Sequence, residues 1–396
     1  MSEEDGTDRR HPTAKVSLGT IAREWTRIGC IGFGGPPTHI TLLRRLCAEE
    51  HQWIGPAEFE DGIAATNLLP GPASTQLAIF CAWRLRGSVG GMIGGVCFIV
   101  PGLALILILA AVFLASHPPT WILGTAAGAG AAVPAVALGA ASKLIPASWK
   151  RVGTERAQQV RWVVYALLGG VAAATVGPYL VLVLLVCGLV EIAIRWQGRP
   201  RSSALANGFT PIAVVHTLTI SGLGALAWVA LKVGALSYGG GFVIVPLMQH
   251  DAVVTYHWMT AAQFLNAVAL GQVTPGPLVQ TVAVIGYAAG GIPGALLAAL
   301  IAFAPSFFFV LLGGPRFDQI RANTAVRSFL GGAGPAVIGA IAGSAIPLSL
   351  SLQHLWQIPV LAGAALWLFV IRRGVVGALL IAGGIGVVVA LAGVPV

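Results

Sequence analysis

Phe33-Gly34-Gly35 and Pro70-Gly71-Pro72 decide the fold, because both return 205 residues further on as Tyr238-Gly239-Gly240 and Pro275-Gly276-Pro277. Trp53 and Phe59, which stand between the two clusters, return as Trp258 and Phe264 at the same spacing. From Gly34 to Phe80, without a gap, 47 columns hold eleven identities, where chance gives roughly three or four at ordinary residue frequencies. Each copy thus carries two helix-breaking clusters inside apolar sequence. In a bilayer such breaks are tolerated where the freed backbone lines a pathway, and paired breaks in two halves point to a transporter.

The surrounding composition places the chain in a membrane. Of 396 residues, 56% are hydrophobic and 9% charged, with mean hydropathy +0.84, which excludes an ordinary soluble domain. Val89 to Leu114, Trp162 to Val190 and Val375 to Leu391 are apolar enough to cross a core about 30 Å thick, singly or in pairs. The net charge of +9 is scattered between these stretches, as positive-inside loops require, so nucleic acid is not expected as a partner. Five cysteines without a CxxC read as small packing residues, with Cys30 close to a helix break. No GxxxxGK[ST] loop, metal-ligand cluster or catalytic triad is present, so neither an enzyme, nor ATP-driven pumping by this chain alone, nor a cofactor is expected.

Loop charge predicts that the halves are inverted. Arg84 and Arg86 follow the Pro-Gly-Pro helix in the first copy, where the second has Ala289 and Gly290. The next connection reverses this: Ser116-His117-Pro118-Pro119 is uncharged, whereas its partner carries Arg316, Arg321 and Arg327. With Lys and Arg on the cytoplasmic side, equivalent loops face opposite sides. The expected fold is therefore an all-α polytopic membrane protein of two inverted homologous halves, each with two re-entrant helical hairpins plus transmembrane helices. Full-length spans in place of hairpins would strand Arg44 and Arg45 outside. The predicted organisation is a cytoplasmic lead (1–17), a first repeat with its following helix pair (18–201), a linking span (202–222) and a second repeat with its pair (223–396). Leu18 to about Pro146 is expected to superpose on Leu223 to about Pro347.

A helix restarted inside a bilayer offers free N–H groups and the positive end of its dipole, an anion site that needs no charged side chain. Pro36, Pro37, Pro72 and Pro277 suit the first turn of such restarts. Gly34, Gly35, Gly71, Gly239, Gly240, Gly241 and Gly276 permit the turn, flanked by Pro70, Thr274 and Pro275. Small polar groups accompany the restarts: Ser74, Thr75 and Gln76 in one copy, Gln280 and Thr281 in the other, with Asn67 matching Gln272. Arg27 aligns with Lys232, each six residues before its break. Glu24 stands one turn from Arg27, but no acid occupies the matching place near Lys232, so a buried cation waiting for an anion is expected there. Asp61, opposite Asn266, is a candidate for carrying a coupling proton, with Glu24 and His39 in reserve; equally, Asp61 reads as a helix-start charge and His39 as a structural hydrogen bonder. Glu191 is expected to pair with Arg195.

Phe33-Gly34-Gly35-Pro36-Pro37-Thr38-His39-Ile40, Asn67-Leu68-Leu69-Pro70-Gly71-Pro72 and Gly271-Gln272-Val273-Thr274-Pro275-Gly276-Pro277 resemble the chromate ion transporter family in its long, two-domain form, from about Leu18 onward. Pro37-Thr38 stands where that family often has small residues. The resemblance implies chromate efflux from the cytoplasm of a bacterial cell across its inner membrane, driven by the proton-motive force, and hence chromate resistance. Chromate and sulfate are both tetrahedral dianions, so sulfate stays open as substrate, as do an anion channel, an anion sensor and a homodimer.

Overall fold

The computed structural model describes residues 16–67, 69, 71–115, 118–175, 179–197, 222–237, 242, 244–313 and 323–396. Among the described residues all regular structure is helical. Pro70, Tyr238, Gly239, Gly240, Gly241, Ser116, His117, Arg316, Arg321 and the linking span lie outside them, as do residues 1–15 of the lead.

In the first half, α1 (Leu18–Ile31) starts at Ser17, whose hydroxyl accepts from the Thr20 N–H at 3.0 Å. It closes at Gly32, whose N–H reaches the Ile28 carbonyl at 2.8 Å. Gly34 and Gly35 then take φ of 94° and 77°, a left-handed turn that side chains resist. Pro36 opens α2 (Pro36–Arg44), which loosens into a π-helical turn (Arg45–Glu50). After α3 (Pro56–Thr66) comes α4 (Ala73–Phe113), 41 residues broken at Arg86 and Gly87. Then follow α5 (Thr120–Val152), α6 (Arg156–Thr175) and α7 (Leu180–Gln197).

The second half repeats these events. It holds α8 (Leu223–Leu236), α9 (Ile244–Gln249) with its π turn (His250–Thr255), α10 (Ala261–Val273) and α11 (Thr281–Gly313). Then come α12 (Thr324–Leu350), α13 (Gln357–Ala365, running on to Val370) and α14 (Val375–Leu391). Even irregular details recur at 205 residues: Gln52 and His257 both sit at φ 51°. Trp53 stacks on His51 at 4.5 Å, and Trp258 on Tyr256 at 4.7 Å. The kink in α11 falls at Gly290 and Gly291, with Gly291 matching Gly87 at φ 62°. That is one residue nearer than the ungapped repeat implies, so the second copy is one residue shorter after Pro-Gly-Pro.

Among the described residues, four helices are long and apolar enough to cross a membrane: Ala73–Phe113, Thr120–Val152, Leu278–Gly313 and Thr324–Leu350. By contrast α1, α3, α8 and α10 have 11 to 14 residues, or ~16–21 Å, well short of a hydrocarbon core of about 30 Å. Small residues set the packing, as they do where lipid removes the hydrophobic drive between helices. Gly29 lets α1 close on the Phe98 carbonyl of α4, and Gly234 lets α8 close on Ala302 of α11. The halves are interleaved further along. There α5 lies against α13 and α14, while α12 lies against α6 and α7, with Gly169 and Gly339 meeting the backbones of Ala336 and Ala166. Trp25, fully buried, ties α1 to α4 by donating its indole N–H to the Ala78 carbonyl at 2.8 Å.

Candidate functional site

The break after α1 meets the Pro-Gly-Pro turn of the other half. The Gly32 carbonyl accepts the Gly276 N–H at 3.1 Å and faces His39 Nε2 at 2.8 Å. A carbonyl only accepts, so Nε2 carries the proton. His39 is fully buried, edge-on to Phe98 at 5.0 Å, and its Nδ1 has no hydrogen-bond partner. Nδ1 is therefore a lone pair open to a hydrogen-bond donor.

Across the same contact, Gln280 donates from Nε2 to Thr274 Oγ1 at 3.0 Å and to the Pro275 carbonyl at 2.8 Å, while its Oε1 is buried without a partner. Gly102 of α4 presses here; a Cβ at that position would stand 2.1 Å from the Pro275 carbonyl oxygen. The structure thus brings together Gly32 and His39 from one half with Gly276 from the other, whose turn Gln280 and Thr274 brace; no such contact is seen for Gly34 or Gly35 among the described residues.

The first half's Pro-Gly-Pro turn has the matching surroundings. Gly71, at φ 121°, faces Gln76 and Ser306 of α11; a Cβ on it would stand 2.6 Å from Gln76 Nε2 and 3.4 Å from Ser306 Oγ. Ser74, Thr75, Gln76 and Ser306 are all buried, and the Thr75 and Ser306 hydroxyls have no partner among the described residues. Buried polar atoms left open in this way are uncommon and mark places where function asks for a ligand or water. Ser237, which matches Gly32 as the closing residue of its arm, is another, with its hydroxyl buried and open.

In the ungapped register of the repeat, Gln76 stands opposite Thr281. The one-residue shift pairs it with Gln280 instead, and pairs Gly102 with Ser306. The signal lay in Pro101-Gly102 and Pro305-Ser306, which match only in the shortened register.

The cations stand elsewhere than expected. Arg27 is turned outward, its side chain 66% exposed, and meets Glu24 at 3.3 Å. Glu24 is buried and also holds Arg23 at 2.9 Å. Lys232 is largely buried, its side chain 11% exposed, but not unpaired: its ammonium is bound to the buried Asp251. That acid comes from the other arm of the hairpin, nineteen residues on, where neighbour spacing along one helix does not look.

Asp61 lies on the exposed face of α3 rather than in the apolar interior, while its counterpart Asn266 is buried. Asn266 lines a cavity of about 380 Å³ together with Thr260, Gln263, His354 and Gln357. Asn67 is exposed at the end of α3, and Gln272 is half-buried with its amide nitrogen unpartnered. Cys30 is exposed, and it, Cys47, Cys81, Cys97 and Cys187 are all free thiols. Glu191 pairs with Arg195 at 2.8 Å, as expected, and with Arg161 at 3.0 Å. Among the described residues no three His, Cys, Asp or Glu side chains gather as metal ligands would.

The arrangement offers neutral amides and hydroxyls at two matched turns, with an imidazole at one and a largely buried lysine held by its own carboxylate nearby in sequence. Such a set suits an anion that is held by hydrogen bonds and released again.

Comparison with known proteins bears on what that anion is. The family model of chromate transporters matches residues 19–192 and 224–388, one match in each half. The chromate transport protein of Cupriavidus metallidurans is 33% identical over 344 residues, covering 86% of this chain and 84% of that one. The probable chromate transport protein of Synechococcus elongatus is 30% identical over 360 residues, 89% of this chain and 90% of that one. The chromate transport protein of Pseudomonas aeruginosa is 28% identical over 351 residues, 84% and 82%. No solved structure matches the chain.

Proposed function

The chain belongs to the chromate transporter family, and from that premise we propose that it is a secondary active transporter carrying chromate out of the cytoplasm on the proton-motive force. The observation that carries the reading is the contact between halves, in which the restart of one hairpin and the Pro-Gly-Pro turn of the other share the Gly32 carbonyl. An anion seated at a joint between two halves feels any rocking of one against the other, which is what alternating access requires.

The two halves cross the membrane in opposite senses in a bacterial inner membrane, with the N-terminus cytoplasmic and the short arms as re-entrant hairpins. The helix lengths and the reversed loop charge support that arrangement. At the turns, N–H groups of Gly34, Gly35 and Gly71 bind the oxyanion, with Ser74, Thr75, Thr274, Gln280 and Gln76 around it, while Gly276 holds the two halves together. The outward Arg27 draws anions toward the first hairpin. Lys232, held by Asp251, exchanges that carboxylate for the anion. Asp61 carries the coupling proton, with Glu24 in reserve.

Purified protein in proteoliposomes with an imposed pH gradient tests the proposal, with chromate and sulfate assayed in parallel. Saturable chromate flux that follows the gradient is expected. Flux without saturation makes the protein a channel, and sulfate moved in preference to chromate makes it a sulfate transporter; either result overturns the reading.

A further inference from the structure

Away from both turns, four arginines converge on a second cavity. Arg151 ends α5, Arg161 lies in the second turn of α6, Arg195 is in the last turn of α7, and Arg327 is in the first turn of α12; all four line a pocket of about 200 Å³. One acid, Glu191, faces them. Its carboxylate is already engaged by Arg161 Nε at 3.0 Å, Arg195 Nε at 2.8 Å and the Tyr165 hydroxyl at 3.2 Å.

Glu191 is buried at the bottom of the pocket, against Gly332 of α12, where a Cβ would stand 2.1 Å from the Cys187 carbonyl oxygen. It fixes two guanidinium groups without exhausting them, since each has five N–H donors. Arg151 Nε turns to the Ala147 carbonyl at 3.2 Å, and Arg327 has no ion pair among the described residues. Glu155, exposed on the rim, is held by Gln158. Two of these guanidinium groups are fixed and two are free to close in, and four positive charges beside one carboxylate leave donors and net charge for a further anion.

The chemistry that fits is a tetrahedral phosphate group, which arginine forks bind bidentately. Its surroundings indicate the source. Directly beyond the arginines, α6 and α7 present Val160, Val164, Leu167, Val186, Leu189 and Val190 to the outside, a surface for acyl chains. Trp149 and Trp162 stand edge to face at 5.2 Å beside the pocket, in the manner of a headgroup-level aromatic belt. We propose that this pocket binds the phosphate of an anionic phospholipid, which fastens α6 and α7 of the first half to α12 of the second. The site is separate from the two Pro-Gly-Pro turns, and the proposal does not rest on the transported substrate.

The test is native mass spectrometry and thermal unfolding of the full chain, purified in detergent, with cardiolipin, phosphatidylglycerol or phosphatidylcholine added back. The wild-type protein is expected to retain the two anionic lipids over phosphatidylcholine and to unfold at higher temperature with them. The double variant Arg151→Gln/Arg327→Gln, which leaves the Glu191 cluster intact, is expected to lose roughly tenfold or more in anionic-lipid retention. Arg327→Lys, which keeps charge but loses the fork, is expected to fall between. Equal retention of phosphatidylcholine by the wild type, or undiminished retention by the double variant, overturns the proposal. So does stabilisation by inorganic phosphate without lipid when the lipids give none, since the pocket is then a soluble-anion site.

Discussion

The backbone N–H of Gly276, at the turn of one half, donates to the carbonyl oxygen of Gly32, at the end of the first arm of the other half, at 3.1 Å. This bond joins two halves that must move against each other if the protein transports. Gly276 adopts φ 97°, and a Cβ there would stand 3.2 Å from Gln280 Oε1. Gly276→Ala is therefore expected to cost about 1–3 kcal/mol in local backbone strain and to abolish oxyanion flux while insertion survives. Thermal unfolding and proteoliposome flux measure the two; wild-type flux would detach the turn from the pathway.

His39 supplies the second donor to the same carbonyl. His39→Leu leaves Gly32 short of a partner in a buried place, at a cost of about 1–3 kcal/mol, and flux is expected to fall at least tenfold. His39→Gln, which keeps an N–H donor, is expected to recover stability more than flux. Full flux with Leu would reduce His39 to a packing residue.

Lys232 and Asp251 form a largely buried pair, so removing either partner strands a charge. Lys232→Gln or Asp251→Asn alone is expected to destabilise by about 3–5 kcal/mol, and an apolar replacement of both to recover most of that. If the lysine serves the anion, the double variant folds but does not transport. A double variant with normal flux would make the pair purely structural. Arg27→Gln provides the contrast: an exposed pair changes stability by no more than about 1 kcal/mol, so lost flux there reports on the anion.

Asp61→Asn imitates its own counterpart, Asn266, and local folding is expected to survive on the exposed face of α3. Oxyanion exchange should persist while its dependence on an imposed pH gradient disappears, measured by counterflow and gradient-driven uptake. Gradient-driven transport at the normal rate would clear Asp61 and leave Glu24, His39 or Asp251 to carry the proton.

Ser88 and Ile292 each follow the matching kink glycine, Gly87 and Gly291, and both are exposed. Single cysteines placed there in a chain lacking its five native ones are expected to react from opposite faces of the membrane. Labelling of both from the cytoplasm would overturn the inversion.

The sequence alone determined the elements. Apolar composition required helices, since a bilayer leaves backbone groups no other partner. The clusters at Gly34-Gly35 and Gly71 marked where those helices stop, because only glycine takes the observed φ values without strain. The Arg84–Arg86 stretch announced the break in α4, and the pairing of Glu191 with Arg195 followed from their spacing on one helix. These are local properties, readable within a few residues.

Only the tertiary structure decided which turn meets which. Gly32 touches Gly276, in the opposite half, and Gly102 and Ser306 enter the two turns from stretches of α4 and α11 that sequence reading left out of the site. It also decided the state of the charges: Lys232 found Asp251 across a hairpin, and Arg27 turned outward to Glu24. Contacts between segments far apart in the chain depend on how helices cross, and a crossing is set by many small-residue contacts at once. A one-residue difference between the repeats was enough to move Gln76 from opposite Thr281 to opposite Gln280, because each residue turns a helix face by about 100°.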